Sequence, residues 1–249
     1  MTAKEKIPLF IILKEGSIEK NTIKISGDKY HHLAHVKRVK AHDSVIVSLS
    51  DGLLYSGKIK DITDCEIIIA VEEITEVNNT SQRKITLAMS LIKGEKMDLV
   101  IQKTTEIGVD EIIPISAGRS VAKWDKKTET NKISRYQKII EAAAEQSERT
   151  TIPAISPLAS LAELFAQITD DALVIFMHER NGIGLENAKK SAQNKENIII
   201  LIGPEGGWSE DETEFVLNHD NVIPVNLGKN ILRAETAAIV SVFAFCSNE

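Results

Sequence analysis

Aromatic residues are scarce in this sequence, 4% of its 249 positions, and cysteine is scarcer, with only Cys65 and Cys246. The two cysteines lie far apart and outside any CxxC or Cys/His zinc spacing, which excludes a disulfide scaffold and suits a reducing cytoplasm. Long apolar runs are also lacking. None approaches the ~18 residues that a membrane-spanning helix needs, and the apolar stretch Leu9–Leu13 is too short for a signal-peptide core. A soluble cytoplasmic protein with no membrane partner is expected. An excess of positive charge is missing too: 30 Lys+Arg face 36 Asp+Glu, a formal net charge of -6. That balance excludes a protein that coats nucleic acid by bulk electrostatics.

What is present is an ordinary globular composition, 43% hydrophobic and 27% charged, long enough for one large domain or two smaller ones. Charge is uneven along it. Lys29, Lys37, Arg38 and Lys40, with His31, His32, His35 and His42, lie between Asp28 and Asp43. Residues 117–138 hold seven bases against two acids, and residues 190–249 four bases against nine acids. An acidic protein with two basic stretches suits a selective polyanion partner, although solvated helix faces have the same look.

Residues 1–75 read as short strands about ten residues apart, with Asp51-Gly52 as a turn, which suggests a small barrel or sandwich. Residues 76–83 are polar and aperiodic, a linker. From 84 to 249 strands and helices alternate. Ile85–Met89 and Ile112–Ile115 are strand-like; Asp98 is placed to cap a helix that Gly108 stops; Lys132–Ser147 has helical periodicity. Leu173–Met177, Ile198–Ile202 and Val222–Leu227 follow at βα spacing, the first two as continuous apolar runs expected of strands covered on both faces. A last helix covers about Ala234–Phe245. The pattern is an α/β domain with a mostly parallel sheet.

In such sheets ligands bind beyond the carboxyl ends of the strands. Here those ends carry His178-Glu179, Gly203-Pro204-Glu205-Gly206-Gly207-Trp208 and Asn226-Leu227-Gly228, and Asn230–Ala237 opens the last helix. A dinucleotide cradle is poorly supported, because Glu205 stands where the second glycine of GxGxxG belongs and Pro204 removes a backbone donor. Gly206 and Gly207 serve equally as a turn that admits Trp208. His31 and His35 have a helical ligand spacing without an accompanying glutamate, so no metal is expected.

Gly203–Ser209 followed by Leu227–Ala237 resembles the C-terminal signature of the SPOUT methyltransferases, and more narrowly the family that methylates N3 of a uridine in 16S ribosomal RNA. Tyr30–Arg38, Lys93–Met97, Gln102–Val109, Pro114, Arg119-Ser120 and Ala144–Arg149 match that family in order. Leu9 departs from it where an arginine is frequent beside the first aromatic residue, and His42 where a glycine is usual. The resemblance implies an N-terminal PUA-like β-barrel and a C-terminal SPOUT α/β domain with a deep trefoil knot. It also implies S-adenosyl-L-methionine as cofactor, a homodimer, and 16S rRNA or the small ribosomal subunit as partner.

Under that reading the cofactor loops supply Met177, His178, Leu201, Gly203, Gly206, Leu227, Gly228, Ile231 and Leu232. Methyl transfer to a uracil imide needs an acceptor for the N3 proton and donors for the carbonyl oxygens. Arg233 is assigned to the oxygen that gains charge. Glu205 is the first choice for the proton acceptor or a uracil-orienting group, with Glu235 and His178 behind it. Turn contacts for Glu205 and first-turn capping for Glu235 are the structural alternatives. RNA contacts are expected from His32, Lys37 and Arg38, from Arg119 and Lys123, and from Gln146 and Arg149, taken as neighbours on one helix face, with a pair to Glu145 as the alternative for Arg149. Another SPOUT enzyme, acting on tRNA or a ribose 2′-hydroxyl, and a non-catalytic RNA-binding assembly factor are the competing readings.

Overall fold

The computed structural model describes residues 7–14, 16, 18–76 and 83–246. Chain contacts divide it into two compact units, Met1–Thr80 with Ala144–Ile152, and Ser81–Ala143 with Pro153–Glu249. Most of the expected linker, residues 77–82, lies outside the described residues.

The first unit holds β1 (Leu9–Ile12), β2 (Ile18–Glu19), β3 (Thr22–Ser26), α1 (Gly27–His31), a π-helical turn (His32–Lys37), β4 (Ser44–Ser48), β5 (Leu53–Ile62) and β6 (Glu66–Glu76). The sheet order is β1-β4-β5-β6-β3-β2. Among the described residues only the β1–β4 pairing is parallel. Alternation dictates which face is inside: Ile23 and Ile25, Val45 and Val47, and Ile67 and Ile69 are buried together with Tyr30 and Leu33. Gly57 sits at a register shift in β5, where a Cβ would stand 2.1 Å from the Ala70 carbonyl oxygen; only glycine lets the two backbones approach there. The Asp51 turn is held by its own side chain, which accepts from Leu53 N (3.1 Å) and the Tyr55 hydroxyl (2.6 Å). The Asp51 bond, aided by burial, pushes Tyr55 up to about 12.

The helical stretch 27–37 carried no periodic signal. It ends where Arg38 turns left-handed (φ 53°) and Val39 N donates to Leu33 O. His42 is left-handed as well (φ 71°), which explains physically why glycine suits that position. Residues 144–152 belong to this unit through an ion pair of Glu145 with Lys29 and a hydrogen bond from Ser48 Oγ to Thr150 O (2.8 Å).

The second unit holds β7 (Lys84–Ser90), α2 (Lys96–Ile107), β8 (Glu111–Ile115), the body of α3 (Lys126–Gln146), β9 (Ala154–Ile155), α4 (Leu161–Gln167), β10 (Leu173–Met177), β11 (Ile183–Gly184), α5 (Leu185–Ser191), β12 (Asn197–Ile202), α6 (Glu210–Leu217), β13 (Val222–Asn226) and α7 (Ala234–Cys246). Among the described residues its strands run in the order β11-β13-β10-β12-β7-β8-β9, each pairing being parallel. β10 and β12 sit inside the sheet, which accounts for their unbroken apolar runs. Among the described residues no helix is long and apolar enough to cross a membrane.

Three expectations are corrected. Asp98 does not cap α2: Glu95 is the N-cap, and Asp98 lies in the first turn, paired with Arg135. Helix α3 starts at Lys126, where Asp125 accepts from Thr128 N (2.7 Å); its first turns are polar and carry no apolar period. It also ends sooner. Glu148 is left-handed (φ 55°) and Arg149 N closes back on Ala144 O (2.9 Å), so Arg149 lies past the helix and does not share a face with Gln146. Glu145, the alternative partner of Arg149, is ion-paired with Lys29.

Candidate active site

The carboxyl ends of β12, β10 and β13 are neighbours, because β10 lies between the other two. The loops that leave them wall one cavity of about 410 Å³, together with the start of α7 and Lys96 from α2. This is where an open parallel sheet offers backbone groups and side chains to a ligand.

Each loop is held by specific contacts. After β10, His178 N donates to Val225 O (2.9 Å), and His178 Nδ1 accepts from Arg180 N and Asn181 N (3.2 and 3.1 Å). That leaves Nε2 as the nitrogen available to a ligand. After β12, Trp208 folds back over Gly203, donates from Nε1 to Met177 O (3.4 Å) and packs on Phe176. A Cβ on residue 203 would stand 2.8 Å from that indole nitrogen. Gly203 is therefore the glycine that admits Trp208. Gly206 instead faces Arg119, whose Cβ would lie 3.3 Å from an added methyl, and Gly207 supplies a left-handed turn (φ 69°). A capping box of Ser209 and Glu212 then starts α6. Glu212 Oε1 also accepts from Gly118 N (2.7 Å), and Arg119 donates to Trp208 O (3.1 Å), so residues 118–119 brace the glycine turn. After β13, Asn226 Oδ1 accepts from Gly228 N (3.2 Å) and its amide donates to Gly182 O (3.1 Å).

The cavity is strongly charged. Lys96, Glu205, Arg233 and Glu235 all line it. Lys96 is ion-paired with Glu205 and stands 3.8 Å from Glu235 Oε1. The hydrogen bond to Glu205 holds the Lys96 ammonium above the ordinary lysine value; Glu235 adds to this, while desolvation and Arg233 oppose it. Glu235 is largely buried in the first turn of α7, and its Oε2 has no hydrogen-bond partner among the described residues. A buried carboxylate oxygen without a donor is costly, and it is a place for a ligand N–H or O–H.

A family model described as an RNA methyltransferase domain matches residues 79–245. The chain belongs to this family. A second model, an RNA methyltransferase PUA domain, matches residues 25–72, so the methyltransferase combines a PUA-like unit with an α/β unit. Ribosomal RNA small subunit methyltransferase E of Bacillus subtilis is 34% identical over 94% of this chain and 94% of its own. Two solved structures share the architecture at a TM-score of 0.85. One is a putative methyltransferase from Legionella pneumophila in complex with bound SAM, 26% identical with 96% of each chain covered. The other is a ribosomal RNA small subunit methyltransferase E from Neisseria gonorrhoeae bound to S-adenosyl methionine, 25% identical with 95% of this chain and 96% of that one covered.

Of the expected cofactor residues of the methyltransferase, Met177, His178, Gly203, Leu227, Gly228, Ile231 and Leu232 line the cavity. Leu201 does not: its side chain, on β12, is fully buried in the core. Gly206 does not line it either and faces Arg119. The three expected catalytic residues line it together. Glu205 makes its contact with Lys96, and the turn amide of Gly207 goes to Pro204 O, not to Glu205. His32, Lys37, Arg38 and Gln146 are exposed on the first unit, with Arg149 half-buried. Lys123 is exposed on the second, and exposed Arg119 there contacts Trp208 O. Lys96 was missed. It stands inside the matching Lys93–Met97 segment, but nothing in its spacing links it to Glu205. Among the described residues no group of His, Cys, Asp and Glu is arranged to hold a metal.

Proposed function

We propose that this protein transfers a methyl group from S-adenosyl-L-methionine to N3 of a uridine in 16S rRNA, alone or within the small ribosomal subunit. The observation that carries the proposal is the convergence of three strand-end loops, three carboxylates (Glu179, Glu205 and Glu235) and two cations on one cavity, in a chain of this family. The names of the small-subunit methyltransferase relatives support the substrate.

The residues present fit the cofactor. Gly203 and Gly228 expose backbone, Leu227, Ile231 and Leu232 offer apolar surface to an adenine, and the unpartnered Glu235 Oε2 is an acceptor for an amino or hydroxyl group. When bound, S-adenosylmethionine supplies an electrophilic methyl group on a sulfonium. The chain's own groups do the rest. A cavity carboxylate, Glu205 or Glu235, takes the N3 proton, and Arg233 faces a carbonyl oxygen on which charge collects.

The knot belongs to the same reading. The chain visits edge strand β11, inserts β12 between β7 and β10, and returns to β13 before α7 packs on α2, β7 and β12. Such a path supports a trefoil threading of the loops around the cavity. The first unit's six-stranded sheet supports the reading of a PUA-like barrel. A homodimer is supported by apolar side chains left exposed on α7 and α2, among them Val240, Phe243 and Leu99. A cytoplasmic location follows from a ribosomal substrate.

RNA is held by the exposed bases of both units. Replacing Lys37 and Arg38 by alanine weakens binding of a small-subunit RNA fragment and reduces the slope of log affinity against log salt by roughly 0.7–0.9 for each phosphate no longer neutralised; an unchanged slope removes this surface from the account. The reaction itself is tested with purified protein, small-subunit RNA and methyl-labelled cofactor. Label in 3-methyluridine is expected. Label in a ribose or in tRNA alone would favour another SPOUT activity, and no cofactor binding by calorimetry would leave an RNA-binding factor.

A further inference from the structure

Methylation at N3 makes demands on both sides of the reacting nitrogen. N3 lies between two carbonyl carbons, so loss of its proton spreads charge onto O2 and O4 alike. Arg233 is one cation lining the cavity; Lys96 is the other.

Lys96 occupies an unfavourable place for a cation. It is the first residue of α2, where the helix dipole favours negative charge. Acidic groups from two other elements hold it there, Glu205 in the β12–α6 loop and Glu235 on α7. Its side chain remains 37% exposed, and an ammonium has further N–H donors beyond the one given to Glu205. These contacts favour the protonated amine. A charged donor is thus fixed beside the two candidate proton acceptors, in the cavity that Arg233 also lines.

We propose that Lys96 is a second catalytic cation, donating to one uracil carbonyl oxygen while Arg233 serves the other; this rests on the uridine-N3 reading above. The N3–H bond breaks and its proton passes to a cavity carboxylate. The electron pair left on N3 forms the bond to the methyl carbon, and the sulfur–methyl bond breaks with its pair retained on sulfur. The products are a neutral thioether and a neutral methylated base, and the proton is released from the carboxylate to water. Charge on O2 and O4 exists only between the first and last of these events, so donors aimed at both oxygens act on the transition state rather than on binding.

The test compares Lys96→Met, Lys96→Gln and Lys96→Arg with the unaltered protein on RNA carrying either uridine or 5-fluorouridine at the target. Calorimetry of S-adenosylmethionine binding runs in parallel. Lys96→Met lowers turnover on uridine by about 100-fold with cofactor affinity unchanged, and Lys96→Arg recovers part of the loss. The N3 proton of 5-fluorouridine is more acidic, so less charge stabilisation is needed and the deficit shrinks by roughly tenfold. A merely structural lysine would slow both substrates equally. Equal deficits on the two RNAs, normal turnover in both Lys96→Met and Lys96→Gln, or a parallel fall in cofactor affinity overturns the assignment. An unaltered protein that binds the cofactor yet leaves uridine N3 unmethylated overturns the functional reading and this proposal together.

Discussion

The two ends of the parallel sheet treat their polar groups differently. At the amino end they are committed to structure. Arg83 donates to the carbonyls of Ala192, Gln193 and Lys195 at the end of α5. Asp110 accepts from Ile85 N (2.8 Å), Glu111 is paired with Lys84 and Ser156, and Asn197 and Asn221 donate to Asp171 and Ala172 O. At the carboxyl end a carboxylate oxygen of Glu235 is buried without a partner among the described residues, a lysine sits at the wrong end of a helix, and an exposed arginine faces the cavity. Incomplete pairing at one edge, in a sheet whose other edge is well paired, marks where a ligand completes the structure.

That contrast can be broken by substitution. The largest effect is expected from Arg233→Ala, which removes the proposed charge-stabilising donor and lowers methyl transfer by about 100- to 1,000-fold with an unchanged melting temperature; single-turnover rates check it, and near-normal rates would remove the role. Next is Gly203→Ala. The added methyl group collides with Trp208, so cofactor affinity falls at least about tenfold and stability drops by about 1–3 kcal/mol, read by calorimetry and by Trp208 fluorescence in a Trp124→Phe background. At the opposite edge, Arg83→Ala leaves the α5 carbonyls without their donor and costs about 1–2 kcal/mol in urea unfolding, while turnover of the folded fraction is unchanged.

The smallest effect belongs to Glu111→Gln, about 0.5–1 kcal/mol. Burial raises the Glu111 carboxyl, but hydrogen bonds from Lys84 and Ser156 outweigh it and leave the group below its ordinary value. A depressed carboxylate stabilises the fold above its unfolded value and loses that contribution as pH falls through the folded one. The gap between the native protein and Glu111→Gln therefore closes on acidification below about pH 4. A gap that stays constant with pH would mean that the charge of Glu111 does not matter.

The sheet could be read from sequence because β10 and β12 are buried on both faces and show it as unbroken apolar runs. The cavity loops could be read because glycine, proline and polar residues interrupt those runs where the strands end. Lys96 could not. Its meaning depends on Glu205 and Glu235, more than a hundred residues away in the chain, and local spacing carries no information about such pairs. Arg119 illustrates the same limit: its basic stretch suggested RNA, while its observed contact is the carbonyl of Trp208. The helical stretch 27–37 and the true end of α3 rest on left-handed Arg38 and Glu148, residue types that give no warning of that conformation.

The most direct measurement is a map of modified uridines in small-subunit RNA from cells that lack this gene, from the same cells given the unaltered protein, and from cells given Arg233→Ala. One 3-methyluridine is expected to be absent in the first, restored in the second and absent or nearly so in the third. The same 3-methyluridine content in all three would contradict it.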